Sequence, residues 1–272
     1  MVRGDVMTEN SKFTADNKAA WNASATYHQA TLNIDDIVAK LRDHDHGVFD
    51  ETFGATLDAI GVRGKKAVQV GCNNGREALS LAKMGATSVL GIDQSDAFLA
   101  QAEMLKNAAG LECQFLCSDI YNLPSEIDAD FDVGVITIGV LNWMPDLKLF
   151  FQAVAGLLAT GATLAIYETH PVLEMFDPNA ADPFTPKHSY FAKAPYASEE
   201  PITYDGSSPG KAPVSWWFSH TMGDIVTAAI QAGLRLERLT EYPHSNREVD
   251  FDIYEDRDAQ VPMCFEMVLT KP

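Results

Sequence analysis

The chain holds 272 residues, with 20 lysines and arginines against 38 aspartates and glutamates for a formal net charge of −18. That length fits one large domain or one domain with an elaboration, and 46% apolar with 21% charged residues excludes a disordered chain. So acidic a chain repels phosphate backbones and anionic lipid, which argues against a basic nucleic-acid groove and against electrostatic docking to a membrane.

Met1-Val-Arg-Gly-Asp5 lacks the apolar core of a secretory signal, so a cytoplasmic protein is expected. The longest smooth apolar run, Val133 to Leu141, is half of what a membrane span needs. Residues 1–60 read as helices with polar turns, an N-terminal helical cover ahead of a domain over 61–272. Within the cover, His44-Asp45-His46 falls on a helix end and loop, with no further ligands nominated to complete a metal shell, so no metal is expected. Lys66-Ala-Val-Gln-Val-Gly71 is a β-branched run ending in a Gly/Asn turn, and helical spacing follows from Arg76 to Met84. Ser88 to Asp93 is the second strand; Ser95 caps a helix whose apolar stripe is Phe98, Ala102, Leu105 and Ala109. Cys113 to Asp119 is the third strand and Phe131 to Ile138 the fourth. Asp146 caps a helix carrying Leu147, Phe150, Phe151, Val154 and Leu158, with Gly161 as its stop, and Thr163 to Thr169 is the fifth strand. These strands are continuous apolar runs, which predicts a parallel sheet buried on both faces in a doubly wound α/β fold. The four cysteines, Cys72, Cys113, Cys117 and Cys264, are not in Cys-x-x-Cys spacing, and buried free thiols are expected.

Composition then shifts. Pro171 to Pro213 carries eight of the thirteen prolines with Tyr190, Phe191, Tyr196 and Tyr204 interspersed, which predicts a packed substrate lid inserted after strand five, over 170–218. Thr221-Met-Gly-Asp224 is a capping box opening a helix to Gly233. Leu234 to Thr240 alternates as an antiparallel or edge strand should, and Met263 to Leu269 closes the chain. Between them, Glu241 to Asp258 has seven acidic residues against two arginines and reads as a solvated hairpin loop.

The turn Val70-Gly71-Cys72-Asn73-Asn74-Gly75 feeds a strand into a helix and brings backbone N–H groups near a ligand. A dinucleotide fingerprint would need glycines at 71, 73 and 76, where the chain has Gly71, Asn73 and Arg76. Asp93 ends strand two, 22 residues after Gly71, where an acidic side chain meets the hydroxyls of a bound ribose.

In these motifs the sequence resembles the class I S-adenosylmethionine-dependent methyltransferases of small-molecule type. Gln69-Val-Gly71-Cys72-Asn73-Asn-Gly75 is similar to the family's acidic-x-Gly-x-Gly-x-Gly turn at the first and third glycines; it departs at Gln69 and at Asn73, the latter a residue that tolerates left-handed backbone. The resemblance implies S-adenosyl-L-methionine as cofactor, with Asp93 on the ribose and Gln94 beside the adenine. It also implies that Asp119 and Ile120, in Cys117-Ser-Asp119-Ile120, meet the adenine amine, and that Ile138 lies beside the amino-acid end. Trp21-Asn-Ala-Ser-Ala-Thr-Tyr27-His28 resembles the family's Trp-x-x-x-Ala-x-x-Tyr cover helix at Trp21 and Ala25, with Tyr27, one position earlier than the pattern's Tyr, as its cofactor contact. The fold implied is a Rossmann-like sheet with an antiparallel last strand.

Methyl transfer from this cofactor is mostly positioning, with a general base needed where the acceptor arrives protonated. All seven histidines lie outside 47–169. His170, at the end of strand five, and His220, before a helix start, are the paired candidates for a base, with Tyr167 and Glu168 beside them. Trp216 and Trp217 face opposite ways on an extended segment, so one is expected to pack and one to face the acceptor. The expectation is a small-molecule methyltransferase, monomeric or homodimeric, with no nucleic-acid or membrane partner. Its rivals are a non-catalytic cofactor-binding sensor or scaffold and a nicotinamide-dependent oxidoreductase.

Overall fold

The computed structural model describes residues 2–203, 210–246 and 249–272. Three helices come first, α1 (Val2–Thr31), α2 (Ile34–Asp43) and α3 (Glu51–Ile60). Asn33 caps α2 by accepting the Asp36 N–H, Asp50 caps α3 by accepting the Phe53 N–H, and Gly61 ends α3 in the left-handed region at φ 74°. The strand–helix alternation follows as β1 (Lys66–Val70), α4 (Arg76–Lys83), β2 (Ser88–Asp93), α5 (Asp96–Ala109), β3 (Gln114–Cys117), β4 (Phe131–Ile136), α6 (Leu147–Leu157) and β5 (Leu158–Thr169). The chain closes with β6 (Tyr196–Ser198), β7 (Ser215–Trp217), α7 (Met222–Gln231), β8 (Arg235–Tyr242) and β9 (Cys264–Thr270).

Seven strands form one sheet in the order β3-β2-β1-β4-β5-β9-β8. Strands β1 to β5 pair in parallel, and β9 runs antiparallel to both of its neighbours, β5 and β8. This is the doubly wound α/β sheet that the apolar runs predict, with the antiparallel last strand that the resemblance implies. One face is packed with Phe150, Phe151, Val154, Ile225 and Ala229 from α6 and α7; the other buries Leu41, Phe53, Leu57, Leu79 and Leu81 from α2, α3 and α4. The strand order reverses between β1 and β4, so the crevice at their carboxyl ends is where an open α/β sheet takes its ligand.

Ser95, Asp146 and Thr221 each cap the helix expected of them, and Thr221 with Asp224 makes the full reciprocal box. Four local expectations are corrected. Gly161 does not stop α6: the helix ends at Leu157 because buried Leu158 is already extended and pairs with Phe131, while Gly161, at φ 82°, lies where β5 loops out before Thr163 pairs with Val133. The fourth strand ends at Ile136, leaving Ile138 in the following turn. The third strand is only Gln114–Cys117, at the sheet edge, and Cys117 at its end is exposed where the other three thiols are buried. The acidic segment after β8 joins the antiparallel β8 and β9 with Asp252, Asp256 and Asp258 exposed, as a hairpin loop should, but it is not wholly solvated. A 3-10 turn over Val249–Tyr254 seats Tyr254, 3% exposed, on the rings of Phe176 and Phe184, and its hydroxyl donates to the Pro183 carbonyl at 2.9 Å. It packs there because the insertion supplies apolar rings that the acidic stretch can cover with its one aromatic cluster.

The insertion opens with a 3-10 turn, Pro171–Met175, and returns through the two-stranded β6–β7 ribbon. Tyr204 lies outside the described residues. No helix among the described residues is long and apolar enough to cross a membrane.

Candidate cofactor and acceptor site

The β1–α4 turn is built by its own hydrogen bonds. Gly71 and Cys72 both donate their N–H to the Ile92 carbonyl, Asn73 donates to Asp93 Oδ2 at 2.8 Å, Asn74 donates to the Asn73 side chain, and Gly75 donates to the Cys72 carbonyl. All five N–H groups from 71 to 75 are therefore satisfied within the protein. A pyrophosphate would need several of them free, so the dinucleotide reading loses its anion cradle. Asn73 takes φ 48°, the left-handed angle that Asn tolerates best among side-chain-bearing residues. Gly71 has no substitute: a Cβ there would come within 2.6 Å of Val140, in the turn after β4.

Asp93 is the hinge of the crevice. Its Oδ2 holds Asn73 and its Oδ1 accepts the Ser95 N–H at 2.8 Å, so one carboxylate ties the first turn to the start of α5. Burial pushes its pKa up, against the backbone N–H groups that favour the charged form. Asp119 accepts the Tyr121 N–H and receives the Thr14 hydroxyl of α1 at 2.9 Å. Gln94 and Ile138 are half-buried beside these motifs, whereas the side chains of Cys72 and Ile120 face the interior, Cys72 against Leu99 and Ala102 and Ile120 in the α6 side of the core.

Gln69, where the resemblance leads one to expect an acid, donates Nε2 to the Thr137 hydroxyl at 3.2 Å, and its buried Oε1 has no partner among the described residues. A buried orphan acceptor at the end of β1 is a position that an ammonium group of a bound amino acid satisfies. Together with the Asp93 carboxylate, it makes the crevice fit S-adenosylmethionine.

Helix α1 lies across this crevice. Asn22 bonds Asp96 and Ser95, Thr14 bonds Asp119, and Trp21 packs edge-on against Phe98 and Trp143 at 5.5 and 5.2 Å. Tyr27, on the same helix, is 40% exposed, and the buried neighbour His28 bonds the Ile202 carbonyl at 2.8 Å instead.

The candidate bases do not converge. Tyr167 is 1% exposed, stacked on Phe53 at 5.2 Å, with its pKa raised by burial; it is core on the α3 side of the sheet, because alternation along β5 turns it away from Glu168. His170 caps the 171–175 turn by accepting the Val172 N–H at Nδ1, and its Nε2–H donates to Glu241 at 2.8 Å. His220 bonds the Met144 carbonyl at 2.9 Å and lines an open cavity of about 600 Å³ with Pro145, Lys193 and Gln231. His170 and His220 share no partner among the described residues.

Trp216 and Trp217 do face opposite ways. Trp216 turns to α1, its indole N–H on Asp16 at 2.9 Å and Phe13 edge-on at 5.0 Å. Trp217 meets Trp143 edge-on at 5.0 Å and donates its indole N–H to Glu174 at 2.8 Å. Glu174 was not nominated by any motif. It lies in a Pro-led turn inside the insertion, where the only signal was a lone acid between apolar residues.

The family model for a methyltransferase domain matches residues 68–166. A ubiquinone biosynthesis O-methyltransferase of Idiomarina loihiensis is 32% identical over 104 residues, 38% of this chain and 42% of the relative. An O-methyltransferase of Aspergillus nomiae is 33% identical over 107 residues, 39% of this chain and 47% of the relative. The chain thus spans less than half the length of these curated relatives. The crystal structure of an S-adenosylmethionine-dependent methyltransferase of Mesorhizobium loti superposes with a TM-score of 0.59 at 21% identity, over 85% of this chain and 99% of that one. Residues 68–166 carry a methyltransferase domain, and its architecture is that of the class I S-adenosylmethionine-dependent family.

Proposed function

We propose that the protein binds S-adenosylmethionine in the crevice between β1 and β4 and transfers its methyl group to a small molecule. Asp93 carries the reading: it is held at the tip of β2 by two backbone N–H groups, leaving a fixed carboxylate for the two ribose hydroxyls. Gln69 Oε1 would take the ammonium of the methionine end, and Asp119 the adenine amine. When bound, the sulfonium supplies an activated methyl group, so the protein's own work is to hold the acceptor in line and exclude water. The cover over 1–60 closes the crevice of the 61–272 domain, and the 170–218 insertion is the lid over the acceptor. The charge of −18 supports a small neutral or cationic acceptor over nucleic acid. We place the protein in the cytoplasm as a monomer or homodimer. The names of the curated relatives support oxygen as the atom methylated.

Calorimetric titration with S-adenosylhomocysteine tests the reading. Wild type should bind, and Asp93→Ala should lose about a hundredfold or more in affinity, the equivalent of two hydrogen bonds to a charged group. Equal affinity in the two proteins overturns the assignment. Binding without turnover over a broad acceptor panel would instead mark a cofactor-binding sensor.

A further inference from the structure

We propose that Glu174 is the general base of the reaction and that the acceptor it serves is a phenol, held with its ring against the indoles of Trp143 and Trp217. The inference rests on the methyltransferase reading. Glu174 sits in the 171–175 turn directly after β5, at the carboxyl edge of the sheet. One carboxylate oxygen, Oε2, accepts the Trp217 indole N–H at 2.8 Å, and the other has no hydrogen-bond partner among the described residues.

Trp217, Trp143 and Trp21 form a continuous edge-to-face series at 5.0 and 5.2 Å, running from the insertion to the cover helix. Each of the three indoles is only half-buried, so part of each ring stays open and the series makes an aromatic wall. Trp143 belongs to the turn after β4 that presses Val140 against Gly71. The wall therefore begins beside the cofactor turn and ends on a carboxylate. Flat apolar walls with one fixed acceptor at the end suit a planar ring bearing an O–H.

The ionisation of Glu174 fits that duty. Burial lifts its pKa to about 7, against the Trp217 N–H, which favours the carboxylate. The charged groups on the surrounding elements, His170 and Glu241 at the head of the turn, Asp177 and Lys187 after it and His28 on α1, add nothing to these two causes. A base whose pKa lies near neutrality is matched to proton transfer at neutral pH. The step balances within the proposed activity: the phenol O–H bond breaks and its proton passes to Glu174, the O–C bond forms, and the electron pair of the S–C bond stays on sulfur. A cation site would look different, since a permanent positive charge is served by a carboxylate that stays ionised.

The probe is 4-nitrophenol, added to the full chain saturated with S-adenosylhomocysteine and followed by quenching of tryptophan fluorescence. Wild type should bind it, and Glu174→Gln, which still accepts the Trp217 N–H, should bind about tenfold more weakly, the loss of a hydrogen bond to a charged group. The fluorescence of the protein without probe should titrate near neutral pH in wild type, and that transition should vanish in Glu174→Gln. Failure of wild type to bind the probe, equal binding by the two proteins, an unchanged titration, or tighter binding of benzylammonium overturns the proposal. Circular dichroism and S-adenosylhomocysteine affinity serve as controls: loss of cofactor binding in wild type would overturn the methyltransferase reading itself.

Discussion

Glu168, near the end of β5, accepts the backbone N–H of Val140 at 2.8 Å, and the N–H groups of Gly139 and Leu141 converge on the same carboxylate at 2.6 and 3.1 Å. Three successive donors arise because the chain leaves β4 through Gly139 at φ 82° and enters the 3-10 turn Leu141–Trp143, whose first N–H groups have no partner of their own. The side chain is 2% exposed, so these donors would otherwise be buried unpaired. Glu168 thereby fixes the turn that carries Trp143 and meets Gly71.

Replacing Glu168 by Gln tests that role. The amide can keep one oxygen on the turn, but its NH₂ group points a donor at donors. The expected loss is about 1–3 kcal/mol, which lowers Tm by roughly 2–4 °C per kcal/mol in a domain of this size. Thermal and urea unfolding should agree on that loss, and S-adenosylhomocysteine affinity should fall with it. An unchanged Tm would show that the turn holds without the carboxylate.

The sheet and the cofactor turn were legible because both are local. Apolar runs such as Phe131–Ile136 demand burial on two faces, and Asn73 next to Gly71 and Gly75 marks a turn with left-handed angles. The acceptor side was not legible. His170 and Tyr167 end the same strand as Glu168, yet one caps a turn, one fills the core and one receives three amides. Those fates are set by which face of β5 each residue takes and by what folds over it from α3, the insertion and β8. Glu174 becomes visible only once Trp217, 43 positions later, is brought against it. Pairings of that span leave no periodicity to read.

The two histidines at the sheet edge set a pH dependence of stability. Burial lowers the pKa of His220, and it lowers that of His170 despite the opposing Glu241. In the unfolded chain both take a proton near pH 6.5. Below that value the unfolded chain binds more protons than the folded one, so stability is full above about pH 7 and declines as the pH falls through the lowered values. Glu174 acts in the opposite sense, losing stability as pH rises from its ordinary 4.5 toward about 7. Urea unfolding between about pH 5 and 7.5 should therefore separate the variants. His220→Gln, which keeps a donor for the Met144 carbonyl, should flatten the acid-side decline, and Glu174→Gln should steepen it. Parallel curves for wild type and His220→Gln would show that His220 does not contribute.

The cover helix is held by a side chain that acts as a strand partner. Asn17, 0% exposed on α1, accepts the Trp216 N–H at 2.6 Å and donates to the Trp216 carbonyl at 3.0 Å, pairing the backbone of β7 from its side chain. Thr14 on Asp119 and Asn22 on Asp96 flank that contact, but both of those acids are open to water or held by other donors. Asn17→Ala leaves two buried backbone groups unpaired, which costs about 1–3 kcal/mol. The cost falls on the seating of α1 and leaves the sheet intact, since the cover meets β7, α5 and the 119–122 turn and none of the central strands depends on Asn17. Hydrogen exchange should therefore speed up through α1 while β1, β4 and β5 keep their protection, and release of S-adenosylhomocysteine should quicken about tenfold. Asn17→Asp keeps the acceptor for the Trp216 N–H but turns a buried carboxylate oxygen toward the Trp216 carbonyl, so it should cost at least as much as Asn17→Ala. Equal exchange in α1 for all three proteins would mean that the aromatic contacts of Trp21 seat the cover without Asn17.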